Sequence, residues 1–412
     1  MFGTRIRLTA FATAVLLAAT GSATASGAPA ATALATQPAI FVGNNWDGTA
    51  DVLRPGGGYE RIARINVIPD IDERLREIFL DPVRLAAFLF VRNQIGEGND
   101  QFVDDMFSTP DGALLIVSRP SLADVVAIDP LTGAIRWRFP VAGQRADHMA
   151  ISPDGTRVAV SASTANVVHI LDARSGREVG RFPSGDSPHE SNYARDGRLI
   201  YHASIGFVYT ALDSPALDFT KGQRFFQVVD AATNTVVKRI NMAQKLAEAG
   251  HRNMSSAVRP MAHTADERLF YLQVSFLHGF VEYDMAGDRV TRVANLPNLV
   301  PGLSREQYLL DSAHHGIAMD GSDAKLCVAG TMSGYAAIVD RVTFAHTLIN
   351  RGPDAKPYWS TRSADGRFCY VSWSGLDQVS VISFDTAQEV ARIDVGDHPQ
   401  RIRTGVVPAA LG

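Results

Sequence analysis

Hydrophobic and polar positions alternate in short runs along most of this chain, and turn residues separate the runs. Residues 146–161 show the unit: an apolar strand, the turn 152–155 (Ser-Pro-Asp-Gly), and a second strand that alternates. Proline fixes φ in such a turn and glycine accepts a positive φ, so both favour a tight reversal. Two more strands follow, over 166–172 and 178–182, so one unit predicts four consecutive strands.

The unit recurs with a period of about 40 residues, which is typical of propeller blades. Six units begin near Asp100, Ala146, Pro188, Arg259, Ser312 and Lys356. A seventh is split between the termini, because 397–403 resembles the start of a unit and 39–67 supplies its remaining strands. The sequence therefore predicts an all-β, seven-bladed β-propeller of four-stranded antiparallel blades over 39–412, closed by pairing of the N- and C-terminal segments.

The N-terminus has the pattern of a signal peptide. Arg5 and Arg7 precede an apolar run, and a small-x-small site ends at Ala25. We expect residues 1–25 to be cleaved, residues 26–38 to form a disordered leader, and the mature protein to be secreted or otherwise extracytoplasmic.

Charge and hydropathy narrow the range of partners. The formal net charge is -4 and the pI is about 6.3, without any basic run, so we expect no nucleic acid partner. No stretch after the signal peptide reaches the roughly 18 apolar residues of a membrane span, so we expect no membrane insertion. We expect the protein to be a monomer whose partner is a small-molecule substrate or ligand.

The two cysteines, Cys327 and Cys369, occupy similar positions in adjacent units. Side chains at equivalent positions of stacked sheets point the same way, and such sheets lie about 10 Å apart. The sequence therefore predicts two buried free thiols.

Four insertions interrupt the repeat. Segments 69–93, 241–256 and 300–312 have helical spacing and lie between the outer strand of one blade and the inner strand of the next. Segment 208–222 lies between a second and a third strand. Both kinds of connection leave an up-and-down blade at the same end, so we expect the insertions on one face of the disc.

That face is also where the inner strands begin, and six of the eleven histidines lie there. The candidate metal ligands are His148, His189, His263, His314, His315 and His398. Imidazoles from several blades can converge on one ion without a local motif. The alternative is that these histidines hydrogen-bond to neighbouring carbonyls or line a water-filled channel. Consecutive strand residues point to opposite faces, so only one of His314 and His315 is expected to reach the axis.

Two resemblances follow from these motifs. The segments Gly185-Asp186-Ser187-Pro188 and Gly396-Asp397-His398-Pro399, with the Ser-Pro-Asp-Gly turn at 152–155, resemble the YVTN-type family of exported bacterial β-propellers. This resemblance implies the fold and leaves the function open, because one fold hosts many functions.

The second resemblance concerns the metal. The segments 311–315 (Asp-Ser-Ala-His-His) and 187–190 (Ser-Pro-His-Glu) are similar to those with which the propeller of nitrous oxide reductases holds copper. The Cys-x-x-x-Cys copper module of that family is absent from the sequence. The resemblance implies a histidine-lined metal mouth, with copper as the first expectation and zinc, iron or manganese as alternatives.

Two hypotheses for function remain. The first is an enzyme, an oxidoreductase, lyase or isomerase, that acts on a small organic molecule at this mouth. Its candidate catalytic groups are Glu190, Asp105 and Tyr358, as acid, base or stacking residues. The second is a non-catalytic propeller that binds a ligand or a protein.

Overall fold

The computed structural model of the protein describes residues 35–208 and 214–412, except for the side chain of Asp311. The predicted signal peptide and residues 26–34 lie outside the described residues. The described chain forms seven four-stranded antiparallel sheets, which confirms the predicted seven-bladed propeller. Within the described part of the chain, no helix has the length and apolar character needed to cross a bilayer.

In chain order the strands are β1 (Thr36–Asn44), β2 (Thr49–Leu53), β3 (Arg61–Asn66), β4 (Met106–Ser108), β5 (Leu115–Arg119), β6 (Asp124–Ile128), β7 (Ile135–Pro140), β8 (Ala146–Ile151), β9 (Arg157–Ala162), β10 (Val167–Asp172), β11 (Glu178–Pro183), β12 (Pro188–Tyr193), β13 (Leu199–Ser204), β14 (Phe226–Asp230), β15 (Thr235–Ile240), β16 (Val258–His263), β17 (Leu269–Val274), β18 (Gly279–Asp284), β19 (Arg289–Asn295), β20 (Ile317–Met319), β21 (Lys325–Gly330), β22 (Tyr335–Asp340), β23 (His346–Asn350), β24 (Pro357–Arg362), β25 (Phe368–Trp373), β26 (Gln378–Ser383), β27 (Glu389–Asp394) and β28 (Pro399–Pro408). Blades 2 to 7 each take four consecutive strands, from β4 onward. Their first strands, together with β28, contact one another in a closed ring around the axis.

Blade 1 closes the ring with both ends of the chain. Its order is β28, β1, β2, β3, and β28 pairs antiparallel with β1 from Thr36 opposite Pro408 to Asn44 opposite Pro399. Residues 36–38, which the sequence placed in a disordered leader, therefore belong to a strand. Their backbone groups have partners because the C-terminal strand extends as far as Pro408.

The turns and the burial pattern follow the repeat. In the turn after β8, the carboxylate of Asp154 accepts hydrogen bonds from the Ser152 hydroxyl and the Thr156 backbone N–H. Gly155 has φ of 68°, and a Cβ there would lie 2.2 Å from Pro110 of the preceding blade, so only glycine fits. Strands next to the axis and in mid-blade are mostly buried, whereas the outermost strand β27 alternates between exposed and half-buried residues.

The two cysteines form a disulfide, so the prediction of two free thiols is wrong. Cys327 and Cys369 have Cα atoms 6.4 Å apart, within the range that a bridge can span. The two cysteines do not occupy equivalent positions in their blades. Cys327 pairs with Ala318, one residue after Ile317. Cys369 pairs with Arg362, two residues after Ser360. Ile317 and Ser360 are the equivalent residues of their blades, and an offset of one residue reverses the side-chain direction.

The helices occupy the insertions. They are α1 (Ile71–Leu80), α2 (Pro82–Phe90) and α3 (Met242–Glu248), with a π-helical turn (Val91–Ile95) and 3-10 turns at Pro215–Thr220, Arg305–Gln307 and Leu309–Asp311. We call α1 and α2 the lid hairpin. Ile78 and Phe88 of the hairpin are buried and pack in one cluster with Leu122. Helix α3 instead packs against β19, and its Lys245 forms an ion pair with Asp288, in the turn before β19.

Candidate functional site

Each of the seven inner strands contains a β-bulge where it enters the sheet. In blade 4, for example, Pro188 pairs with Ser204 and Ser191 pairs with His202, so His189 and Glu190 together face one residue. The same register shift occurs in blades 1, 3, 5 and 7. In blades 2 and 6 the backbone hydrogen bonds show the same bulge. Two residues of the inner strand lie opposite Ser118 in blade 2, and two lie opposite Ala329 in blade 6. Bulges redirect side chains and are common next to active sites.

The first bulge residue of every blade lines one cavity on the axis. These seven residues, which we call the cavity ring, are Gln400, Asp104, Asp147, His189, Arg259, His315 and Tyr358, in order from blade 1 to blade 7. Of the second bulge residues, His148 also lines the cavity. The repeated bulge therefore brings side chains that lie far apart in the sequence to one place.

The cavity has a charged floor and an apolar roof. Its volume of about 80 Å³ leaves room for roughly five water molecules or one small organic molecule. The roof comes from the insertions and the loops beside them: Phe90, Ile95, Ile205, Val208, Leu309 and Leu310. The lid hairpin, the 3-10 turn at Leu309–Asp311 and the segment around Val208 thus cover the histidines, as the predicted placement of insertions requires.

Three histidines from three blades converge on the floor. His148, His189 and His315 each offer a ring nitrogen, and these atoms lie within 4.8 Å of one another. All three side chains are buried, and neither ring nitrogen of His189 has a hydrogen-bond partner. Two nitrogens on one ion at about 2.1 Å each are at most about 4.2 Å apart, which is close to the limit of this spacing.

Two carboxylates border the histidines. Asp104 and Asp147 form a second group with His148 whose ligand atoms lie within the same 4.8 Å. His148 Nε2 is 3.5 Å from Asp147 Oδ1 and 3.8 Å from Asp104 Oδ2, and both of these buried oxygens lack a hydrogen-bond partner. The donor set therefore consists of imidazole nitrogens with carboxylate oxygens, the set that Zn²⁺ and related first-row ions accept.

The orientation of His148 is fixed by Glu190. His148 Nδ1 lies 2.7 Å from Glu190 Oε2, which leaves Nε2 to face the two aspartates. A carboxylate that holds the far nitrogen of a histidine is a common feature of metal sites, since it sets the tautomer and the ring orientation.

Burial keeps the imidazoles neutral. It lowers the pKa of His189 to about 4 against the opposing effect of Asp147, and it lowers the pKa values of His148 and His315 well below their usual range. Burial also raises the pKa of Asp104 and that of Glu190 to about 7, although the nearby Arg401 opposes the change. Neutral imidazole is the form that binds metal ions, so these three histidines are competent at neutral pH.

The structure does not bring the other three predicted ligands to the cavity. His263 lies at the far end of β16 and contacts the Thr264 carbonyl oxygen at 3.0 Å. His314 precedes the bulge, faces away from His315, and bonds to the Tyr335 hydroxyl at 2.9 Å. His398 precedes the bulge of blade 1 and stacks on Trp46, with ring centres 3.8 Å apart.

The predicted catalytic groups have three different environments. Tyr358 lines the cavity and stacks on His315, with ring centres 4.1 Å apart. Glu190 lies behind His148. Asp105 lies outside the cavity, because its carboxylate accepts two hydrogen bonds from Arg403, at 2.8 and 2.7 Å, and others from the backbone. The structure thus places Asp105 in a buried ion pair instead of in the site.

Sequence reasoning overlooked Asp147, Arg259 and Gln400 as cavity residues. A signal for the first two was present, because cavity-ring residues precede the aspartate of the following turn by seven positions. The pairs are Asp104 with Asp111, Asp147 with Asp154, His189 with Asp196, Arg259 with Asp266, and Tyr358 with Asp365. Alignment on histidines alone hides this constant spacing.

Comparisons with known proteins agree with the fold. No protein-family model matches the chain, and no curated protein matches it. Among solved structures, the hydrazine synthase of Kuenenia stuttgartiensis is similar, with a TM-score of 0.55 and 14% identity over 76% of this chain and 96% of that one. Identity this low shows the fold alone. The chain is thus a seven-bladed β-propeller whose axial histidines and aspartates could hold a metal ion.

Proposed function

We propose that the protein binds one transition-metal ion at His148, His189 and His315 and is an enzyme that acts on a small organic molecule in the cavity above it. The observation that carries this proposal is the cluster of buried, neutral imidazoles, in which both ring nitrogens of His189 and Nδ1 of His315 lack hydrogen-bond partners. An unsatisfied buried polar atom costs about 1–3 kcal/mol, and a bound ion would remove several such costs together.

The aspartates help to define the ion. Asp104 and Asp147 supply oxygen ligands beside the imidazoles, and the described group contains no thiolate or thioether. Mixed nitrogen and oxygen ligands suit Cu²⁺, Zn²⁺, Fe²⁺ and Mn²⁺. Copper remains our first choice because it forms the most stable complexes of the series with such ligands.

Residues around the ion have distinct proposed roles. A bound ion supplies a Lewis acid that polarises a substrate oxygen or activates a water molecule. Glu190 positions His148. Tyr358 faces the cavity with a pKa that burial raises, so its hydroxyl stays protonated and can donate a hydrogen bond to the substrate. The apolar roof excludes water, which suits oxidation, lyase or isomerase chemistry of a small molecule.

A second candidate function is non-catalytic ligand binding. The observation that favours it is that Asp147 already pairs with Arg145, so this carboxylate is not free to act as a base. We propose either activity for an exported monomer, on the strength of the signal-peptide pattern of residues 1–25.

The test compares metal-loaded and chelator-treated protein. Both are incubated with a panel of small phenols, amines and organic acids, and products are followed by mass spectrometry. Turnover by the loaded protein alone supports the enzyme. Turnover by a metal-free preparation contradicts it, and binding without turnover, retained in His189→Ala, favours the second candidate.

A further inference from the structure

Arg401, on the axis, is buried without a single hydrogen bond to a described residue. It is the second bulge residue of blade 1, and its side chain is 0% exposed. The Nε, Nη1 and Nη2 atoms all lack hydrogen-bond partners. The nearest carboxylate oxygen is Glu190 Oε2 at 3.7 Å from Nη1, which is beyond hydrogen-bond distance.

Arg119 and Arg403 show how buried and half-buried guanidinium groups are satisfied elsewhere in this protein. Arg119, also 0% exposed, donates hydrogen bonds to Asp70, Asp124 and the Val67 carbonyl oxygen. Arg403, two residues after Arg401, binds both oxygens of Asp105. A guanidinium has five N–H donors, and a buried charge without hydrogen bonds is strongly destabilising. Because no described residue accepts from Arg401, we infer that an acceptor other than these residues is needed.

Trp359 and Glu190 define where that acceptor lies. The guanidinium carbon of Arg401 is 3.6 Å from the centre of the Trp359 ring, so one flat face is covered and the donors at its edge remain. Glu190 cannot turn to them without losing its 2.7 Å contact with His148. We propose that the edge of Arg401 binds a small monovalent anion, a halide or a carboxylate, beside the histidine cluster.

Charge balance points the same way. The acidic side chains around the axis, all buried, are Asp104, Asp105, Asp147 and Glu190; the basic ones are the buried Arg259 and Arg401 and the half-buried Arg145 and Arg403. Four of each sign leave no net charge when all are ionised, so a divalent ion would add two positive charges and favour an anion nearby. This charge argument rests on the proposed metal, whereas the hydrogen-bond argument does not.

Two sources could supply the anion: a free ion from solvent, or the acid group of a substrate. Crystals of metal-free protein soaked in bromide should show an anomalous peak within about 3.5 Å of the Arg401 guanidinium. A peak identifies a free-ion site, and displacement of the peak by acetate identifies a site that also accepts a carboxyl group. Ordered water at this position without anomalous signal would overturn the proposal.

Thermal unfolding of chelator-treated protein gives the solution test. Chloride or acetate should raise Tm by a few degrees in a saturable manner when a bulky sulfonate buffer, HEPES, keeps the ionic strength constant. Arg401→Met should abolish the rise. Arg351→Met is the matched control, because Arg351 also stacks on a tryptophan but pairs with Glu389. If Arg401→Met fails to fold, Arg401→Lys should weaken the anion at least tenfold. An identical anion response in wild type and Arg401→Lys contradicts the site, and neither result depends on the metal.

Discussion

Glu190 Oε2 lies 2.7 Å from His148 Nδ1, and both side chains are buried. This contact joins two blades and selects which nitrogen of His148 faces the cluster. Glu190, a predicted acid or base, thus contacts and orients His148 in the structure.

The first prediction concerns this contact. Glu190→Gln replaces a charged acceptor with a weaker one, so we expect metal affinity to fall by about 10- to 100-fold. A competition titration against a chromophoric chelator measures the change. Glu178→Gln is the control, because Glu178 makes a similar contact, at 3.0 Å, with His169, which lies outside the cavity. Equal effects of both variants would disprove a special role for Glu190.

The second prediction concerns Asp105, whose ion pair with Arg403 is buried. Asp105→Asn leaves Arg403 without its charged partner, so we expect the free energy of unfolding to fall by about 3–5 kcal/mol. Metal content should not change, since Asp105 lies outside the cavity. Denaturant unfolding measures the first quantity and elemental analysis the second. Asp196→Asn, in an exposed pair with Arg198, should leave the free energy of unfolding nearly unchanged, because solvent screens this pair.

The third prediction concerns how pH affects the lid hairpin. Asp70 precedes α1 and binds Arg119 at 2.6 Å; burial alone would raise its pKa, but Arg119 outweighs burial and holds that pKa below its usual value of 3.8. This stabilisation is complete above pH 3.8 and disappears as the pH falls through the lowered pKa in the folded state. Hydrogen exchange should show the hairpin opening below about pH 4. In Asp70→Asn it should open at neutral pH as well, and a pH dependence unchanged in that variant would contradict this account.

The fourth prediction concerns the Cys327–Cys369 disulfide, which joins blades 6 and 7 across 42 residues. A loop of this length corresponds to a stabilisation of about 4 kcal/mol. We expect reduced protein, and the Cys327→Ser/Cys369→Ser double variant, to unfold at lower denaturant concentration. Equal midpoints for oxidised and reduced protein would show that the bond contributes nothing.

The sequence was sufficient for the architecture because turn chemistry repeats. Turns such as 152–155 fix the start of each second strand, and the matching of residues 397–403 with 39–67 indicated the closure. The disulfide could not be predicted in the same way, since Cys327 lies one residue further along its strand than Cys369, although the turns of blades 6 and 7 have the same length. Such a shift reverses a side chain without disturbing the repeat.

The site was predicted only in part, because a histidine in a sequence does not reveal the bulge that aims it. His148, His189 and His315 converge although His148 is a second bulge residue and the other two are first. His314 and His398 lie just before their bulges and point elsewhere. The structure therefore brings three of the six predicted histidines together, and which three depends on the local register.

The central claim is that His148, His189 and His315 hold a metal ion. Protein purified without an affinity tag, loaded with Cu²⁺ or Zn²⁺ and dialysed, should retain about one ion per chain by elemental analysis. His315→Ala should lose it, and His314→Ala, one residue away but outside the cavity, should keep it. Retention of the ion by His315→Ala, or no retention by the wild-type protein, would contradict the account.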